Sequence, residues 1–220
     1  MLVSTLIERI SYALRGIDDE VPASGSEEAP YWLSIINRKK DEWATDPFEA
    51  WNSIFEVRNL LAPVAVGTQS YDLATDFIRP SDDVYVTVAG QRVDFNLVEP
   101  QLRDSVSNAV YIAGKKLYFV DTILADTQIV GGAITVPGFF LPDDMTSFTD
   151  VVPVDDPNWL AMATAAEIAF NDVSYEDKSP DLFAKANSLY VAMKTANKKG
   201  TITAPRKVPT MVKRIGRADV

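Results

Sequence analysis

The chain has no cysteine and no histidine among its 220 residues. Without cysteine there is no disulfide framework, no thiol nucleophile and no thiolate metal site. Without histidine the usual general base near neutral pH is missing, and so is the commonest transition-metal ligand. Ser-His-Asp and Cys-His arrangements are therefore excluded within this chain. Basic residues are also scarce, 21 against 31 acidic, for a net charge of −10. Such a chain lacks the broad basic face of a general nucleic-acid binder. Long apolar runs are missing too, since no window reaches the ~18–20 uninterrupted apolar residues of a membrane span. The stretch from Met1 to Leu14 carries Glu8 and Arg9 within it, which suits an amphipathic helix better than a signal peptide. The expectation is a soluble non-enzyme with neither metal nor organic cofactor.

What the chain does have is enough apolar material for a core, 47% apolar and 10% aromatic. Its charge is unevenly placed. Of the 21 basic and 31 acidic residues, seven basic and one acidic fall in 198–220, leaving 14 and 30 for the rest. A strongly acidic body thus ends in a strongly basic segment, an asymmetry that suggests different partners for the two parts. Pro205 and Pro209 push their neighbours towards extended backbone and deny the segment a helix. Twenty residues in that state span up to about 65 Å. Ile202, Val208, Met211, Val212 and Ile215 are more apolar than a solvated tail needs, so the segment reads as an arm docked on another chain.

Periodicity divides the remainder. Leu2, Leu6, Ile10 and Leu14 recur every four residues, and Thr5 with Glu8 offers a capping box, predicting a helix over ~5–15. A second helix is expected from near Pro30, with Trp32, Ile35, Ile36 and Trp43 on one stripe. Asp46, Pro47 and Glu49 form a helix start, with Phe48, Trp51 and Phe55 following at helical spacing, although the end of this helix stays open because residues 55–60 alternate in the manner of a strand. From about Val64 to Leu141 the period becomes two. Ala89-Gly90 and Gly114-Lys115 are read as hairpin turns, and Ile134–Val136 as a strand stopped by Pro137 and Gly138. Helical spacing returns with Asp156-Pro157 through Phe170, and again from Ser179-Pro180 to a stop at Gly200. The fold class expected is α+β: a helical bundle built from both chain ends (1–62 and 151–200), an inserted antiparallel β subdomain (63–150) and an extended C-terminal arm (201–220).

Paired acids at Asp18-Asp19, Glu27-Glu28, Asp82-Asp83, Asp143-Asp144 and Asp155-Asp156 suit turns and caps better than a catalytic pair, because adjacent side chains point apart. Trp32, Trp43 and Trp51 fall on helix stripes beside Ile and Phe, which favours core over a sugar-stacking platform.

Several segments, in order, resemble the head-to-tail connector (adaptor) proteins of tailed bacteriophages, the ring below the portal. Thr5, Leu6, Ile7, Ile10, Ala13 and Leu14 are similar to that family's opening helix. Tyr31, Trp32, Leu33, Ile36 and Asn37 resemble its second helix, where a Leu-Asn pair is usual. Val66 to Leu73, followed by Asp76 and Phe77, resembles the start of its β insertion, with Ala74 in place of the family's proline. Val152, Pro153, Val154, Asp156, Pro157, Trp159 and Leu160 resemble the return to the helices, and Tyr190, Met193 and the basic tail complete the order.

The resemblance covers nearly the whole length and implies a structural protein of the virion neck. It implies a ring of twelve copies, assembled in the host cytoplasm, that joins the portal to a tail-side stopper or nozzle protein. Genome DNA would pass along its axis without specific binding. The portal-docking arm would comprise Ile202, Pro205, Arg206, Lys207, Val208, Pro209, Val212, Lys213, Arg214, Ile215 and Arg217. Asp18, Asp19, Glu20, Glu27 and Glu28 are the candidate channel-facing acids, since a carboxylate wall repels phosphate. The alternatives are a stopper or tail-terminator neck protein, or a monomeric carbohydrate-binding or hydrolytic module.

Overall fold

The computed structural model describes residues 1–16 and 21–201. The elements run α1 (Val3–Arg15), α2 (Glu28–Ala44), a one-turn 3₁₀ helix at Asn52–Ile54, then β1 (Phe55–Asn59), β2 (Ser70–Asp72), β3 (Phe77–Pro80), β4 (Val84–Val88) and β5 (Gln91–Leu97). After a second 3₁₀ segment at Pro100–Ser105 come β6 (Ala109–Ala113), β7 (Lys116–Phe119), β8 (Ala133–Phe140), α3 (Pro157–Asn171) and α4 (Ser179–Thr201).

The strands form one curled sheet in the order β1-β8-β4-β5-β6-β7-β2, with β3 on the same edge of β8 as β4. Two turns with positive φ make its hairpins: Ala89 (47°) with Gly90 (81°), and Gly114 (56°) with Lys115 (59°). Positive φ at both central positions matches the right-handed twist of the strands they join. The β5–β6 pair is parallel, Asn96 opposite Ala109 and Leu97 opposite Val110, whereas the other pairs are antiparallel.

This arrangement overturns the expected α+β helical bundle with an inserted antiparallel β subdomain. The molecule is a mixed α/β fold dominated by the curled sheet, with four helices. The sheet begins at Phe55, ahead of the expected insertion, and it is not purely antiparallel. Nor do the helices close a core of their own. Phe139 from β8 and Ile54 lie in the same apolar cluster as Leu6, Ile10, Trp43 and Leu160, and Ile78 and Leu141 pack against it. A separate cluster of Val84, Val86, Phe95, Val110, Leu117, Ile134 and Val136 fills the inside of the curl. Helical periodicity at the chain ends reports which face of each helix is apolar, but it cannot report that the covering partner is partly a strand.

Within the helical layer, α1, α2 and α4 each pack on α3. Ala161, Ala163, Ala165, Ala166 and Ala169 of α3 are buried, and their small side chains allow that approach on several sides. Asp156 caps α3 through the Asn158 N–H at 2.9 Å, with Pro157 in the first turn. The Thr5–Glu8 capping box is not used, because α1 begins at Val3. There the first N–H groups are satisfied by Asp150 and Phe148 carbonyls at 2.9 Å each.

Three local expectations fail, two of them for clear reasons. Asp46-Pro47 opens a turn rather than a helix: Asp46 Oδ1 accepts from the Phe48 N–H at 2.8 Å, and the chain reaches β1 through a single 3₁₀ turn. Phe48 is 86% exposed instead of lying on a core stripe. Strand β8 runs through Pro137 and Gly138 rather than stopping. Pro137 faces the gap between β3 and β4, where no strand needs its missing donor, and its carbonyl accepts from the Ser81 N–H at 3.1 Å. A Cβ at Gly138 would sit 2.7 Å from the Phe77 ring and 2.8 Å from the Arg79 carbonyl, so glycine admits β3 there. Gly200 does not end α4 either, which extends to Thr201.

Candidate functional site

The expected functional region is the basic C-terminal segment, and the structure describes the point from which it leaves. Residues Tyr190, Lys194, Asn197 and Lys198 recur at helical spacing and share one face of α4. Opposite that face lies the turn after α2. The Asp46 carboxylate accepts from the Tyr190 hydroxyl and pairs with Lys194 Nζ at 3.0 Å. Glu49, with 5% of its side chain exposed, lies 3.6 Å from both Lys194 and Lys198. Asn197 donates to the Ala50 carbonyl at 2.8 Å and accepts from the Asn52 N–H at 3.3 Å, a two-bond clasp on the main chain.

Below the clasp the aromatic rings cluster, with Trp43 stacked on Trp51 and Tyr190 tilted against Trp51 and Trp159. Trp43 and Trp51 lie 5.5 Å apart, Trp51 and Tyr190 5.9 Å, and Trp159 and Tyr190 5.3 Å. Trp51 Nε1 donates to the Trp43 carbonyl at 2.6 Å, which satisfies the polar atom of a fully buried ring. Burial alone would raise the Asp46 carboxyl. Hydrogen bonds from Tyr190, the Phe48 N–H and Lys194 outweigh it and hold the group below its ordinary value. Tyr190 is pushed well above its ordinary value, first by burial and then by the Asp46 carboxylate. With these carboxylates facing donors on α4, the arrangement fastens the helix to the 46–52 turn.

Adjoining the clasp is a groove of about 460 Å³ lined by Asn52, Asp155, Asp156, Ala192, Met193 and Asn197. Acidic and apolar groups thus meet beside the root of the basic segment.

Of the sequence-predicted site residues, the structure describes two. Glu27 stands exposed at the N-cap of α2, without a side-chain capping bond. Its neighbour Glu28 takes a two-bond ion pair from Arg15 Nη2, at 2.8 and 2.9 Å. That pair, with the Tyr175 hydroxyl, holds the Arg15 guanidinium above its ordinary value despite the opposing effect of burial. Glu28 therefore ties α2 to α1. Asp18, Asp19 and Glu20 lie outside the described residues, as do Ile202, Pro205, Arg206, Lys207, Val208, Pro209, Val212, Lys213, Arg214, Ile215 and Arg217.

Among the other acid pairs Asp156 caps α3, while the rest make both local and long-range contacts. Asp82 accepts from the Asp83 N–H, Asp83 from the Leu97 N–H, and Asp144 pairs with Lys40. The four tryptophans are at most 7% exposed, too little for a ring to stack on a sugar. Among the described residues no group of three or more His, Cys, Asp or Glu is placed to hold a metal ion. No described helix is long and apolar enough to cross a membrane.

Two polar anchors were invisible in the sequence. Lys40 is fully buried, and its Nζ donates to the Pro142 carbonyl at 2.7 Å, the Asp143 carbonyl at 3.2 Å and Asp144 Oδ1 at 2.8 Å. Asn37 makes two 2.9 Å bonds to the main chain of Met145. Together they hold the return from the sheet against α2. Nothing in the run from Arg38 to Lys40 separates the fully buried cation from its two basic neighbours. Asn37 stands out only in the resemblance to the adaptor family. No protein-family model matches the chain, and no curated protein matches it either.

Proposed function

We propose that the protein is a structural subunit of a tailed-phage neck: an adaptor that forms a twelve-membered ring between portal and tail. In this reading the segment 201–220 docks on the portal, a tail-side stopper or nozzle protein binds the opposite face, and genome DNA passes through the ring without specific contacts. No catalysis is assigned to it.

One observation carries the reading. The helix that leads into the most basic part of the chain is locked to the acidic body over its last described turns by Asp46, Glu49 and Asn197. The residues beyond, 201–220, hold five basic groups against Asp219 alone. A charged segment leaving from a fixed root loses less orientational freedom on docking than one leaving from a loose end. Its charges would meet an acidic rim on the portal and set register and association rate. The excess of acid over the rest of the chain suits a wall that DNA must pass without adhering, where a basic wall would bind phosphate through counterion release. The order of the adaptor-like segments supports the same reading.

Electron microscopy of the full chain mixed with the portal protein of the same genome tests it. A closed ring seated coaxially on the portal is expected. Unassembled monomers beside bare portals would overturn the proposal.

A further inference from the structure

The curled sheet has an open seam. Strand β5 pairs with β4 along its length, from Gln91 opposite Val88 to Phe95 opposite Val84. On its other edge it meets β6 only at Asn96 and Leu97. The parity of the ladder shows which groups face the seam. The Asn96 and Val98 N–H groups donate across to the Asn108 and Val110 carbonyls, while the Leu97 N–H turns back to Asp83. The alternation therefore aims the main-chain N–H and C=O of Arg92 and Asp94 into the seam. Among the described residues no strand pairs with them there. Both residues are exposed.

Beside this free edge is a cavity of about 390 Å³. Val93 and Phe95 line one side, and Phe119, Ile123 and Ile129 line the other. Phe95 and Phe119 meet edge-on with centroids 5.0 Å apart. At the rim stands Asp121, exposed, with one oxygen accepting from the Asn108 N–H at 3.2 Å, and exposed Asp126 follows in the same loop. An unpaired strand edge next to an apolar cavity is the arrangement that binds an added strand: main-chain bonds supply attachment and alternate pockets supply selectivity.

We propose that this seam binds an extended segment of a partner protein. The segment pairs with Arg92 and Asp94, places an apolar side chain over Val93 and Phe95, and carries a Lys or Arg that meets Asp121. A small molecule would leave the row of main-chain groups unmatched. A second copy would bring a whole sheet towards the 121–129 loop, which closes the far side of the cavity and leaves room for side chains, not for a folded unit. The acids at the rim select a basic strand over an acidic one. This inference rests on the sheet alone and stands apart from the adaptor proposal.

The test uses the full chain, labelled with nitrogen-15, and the peptide acetyl-Lys-Thr-Val-Thr-Ile-Thr-Lys-amide. The Arg92 and Asp94 amide signals should exchange freely with solvent in the protein alone, then shift and gain protection when the peptide is added. Asp121→Lys should weaken binding about tenfold, and a peptide with Glu in place of both Lys residues should recover it, which a merely damaged fold would not allow. Absence of shifts at Arg92 and Asp94 at millimolar peptide overturns the proposal. So does equal binding of the Lys and Glu peptides to the unaltered chain. Shifts that grow with protein concentration alone would identify a second copy as the occupant and overturn it as well.

Discussion

Replacing Asp46 with Ala should loosen the C-terminal half of α4 before anything else in the molecule. The substitution removes the acceptor for the Tyr190 hydroxyl, the Phe48 N–H and Lys194 Nζ. These losses are unequal. The Phe48 N–H is exposed and water replaces its partner, and Lys194 keeps Glu49 at 3.6 Å. The Tyr190 hydroxyl, set between α4 and the 46–52 turn, bears most of the penalty. A hydrogen bond to a charged group contributes about 1.5–3 kcal/mol, and a part-exposed ion pair up to about 1 kcal/mol. The sum is about 2–4 kcal/mol, a fall in melting temperature of roughly 5–15 °C for a chain of this length.

Hydrogen exchange distinguishes local from global loss. Amides from Tyr190 to Lys198 should lose protection while those of α3 keep theirs. The same carboxyl sets a pH dependence. Its folded value lies below the ordinary 3.8, so its contribution is complete above that value and is lost as pH falls through the folded one. The unaltered protein should therefore lose more stability between about pH 4 and pH 2 than Asp46→Ala does. A melting temperature within about 2 °C of the parent, with unchanged protection in α4, would refute the assignment of this latch.

Lys40→Met should cost about 2–4 kcal/mol in urea unfolding, because two main-chain carbonyls lose a buried donor while Asp144, 65% exposed, is resolvated. A cost below about 1 kcal/mol would mean that water replaces the ammonium. Gly138→Ala should destabilise by about 1–3 kcal/mol through overpacking against Phe77 and the Arg79 carbonyl, seen as a lowered denaturation midpoint. A fragment ending at residue 200 should melt like the parent yet fail to sediment with portal. Docking as tight as the full chain's would remove 201–220 from the interface. Lysine at positions 18, 19, 20 and 27, with Glu28 kept for Arg15, should give the assembled ring salt-sensitive affinity for duplex DNA in filter binding. If the unaltered ring already binds DNA tightly at physiological salt, the acidic-wall argument falls.

The sequence by itself determined features that depend on neighbours in the chain. The positive-φ turns at Ala89-Gly90 and Gly114-Lys115, the Asp156-Pro157 start of α3 and the apolar stripe of α1 are local, and each is where the pattern put it. Trp32 and Trp43 are buried by the same logic of faces, whereas Trp51 is buried without the helix its spacing suggested, and the split between acidic body and basic end is composition alone. Tertiary structure decided whatever required a partner from far along the chain. Asp46-Pro47 has every local mark of a helix start, yet its carboxylate is taken by Tyr190, 144 positions away, and the following residues are drawn into β1 by β8. Pro137 and Gly138 read as a strand stop, but the gap between β3 and β4 spares the missing donor, and the close approach of Phe77 requires the missing side chain. The acidic half of the α4 root, the buried place of Lys40 and the open seam along β5 arise from segments between 12 and 149 positions apart. Local propensity carries no record of such distances; only the packing of α4 on the 46–52 turn, and of β6 on the last two residues of β5, settles them.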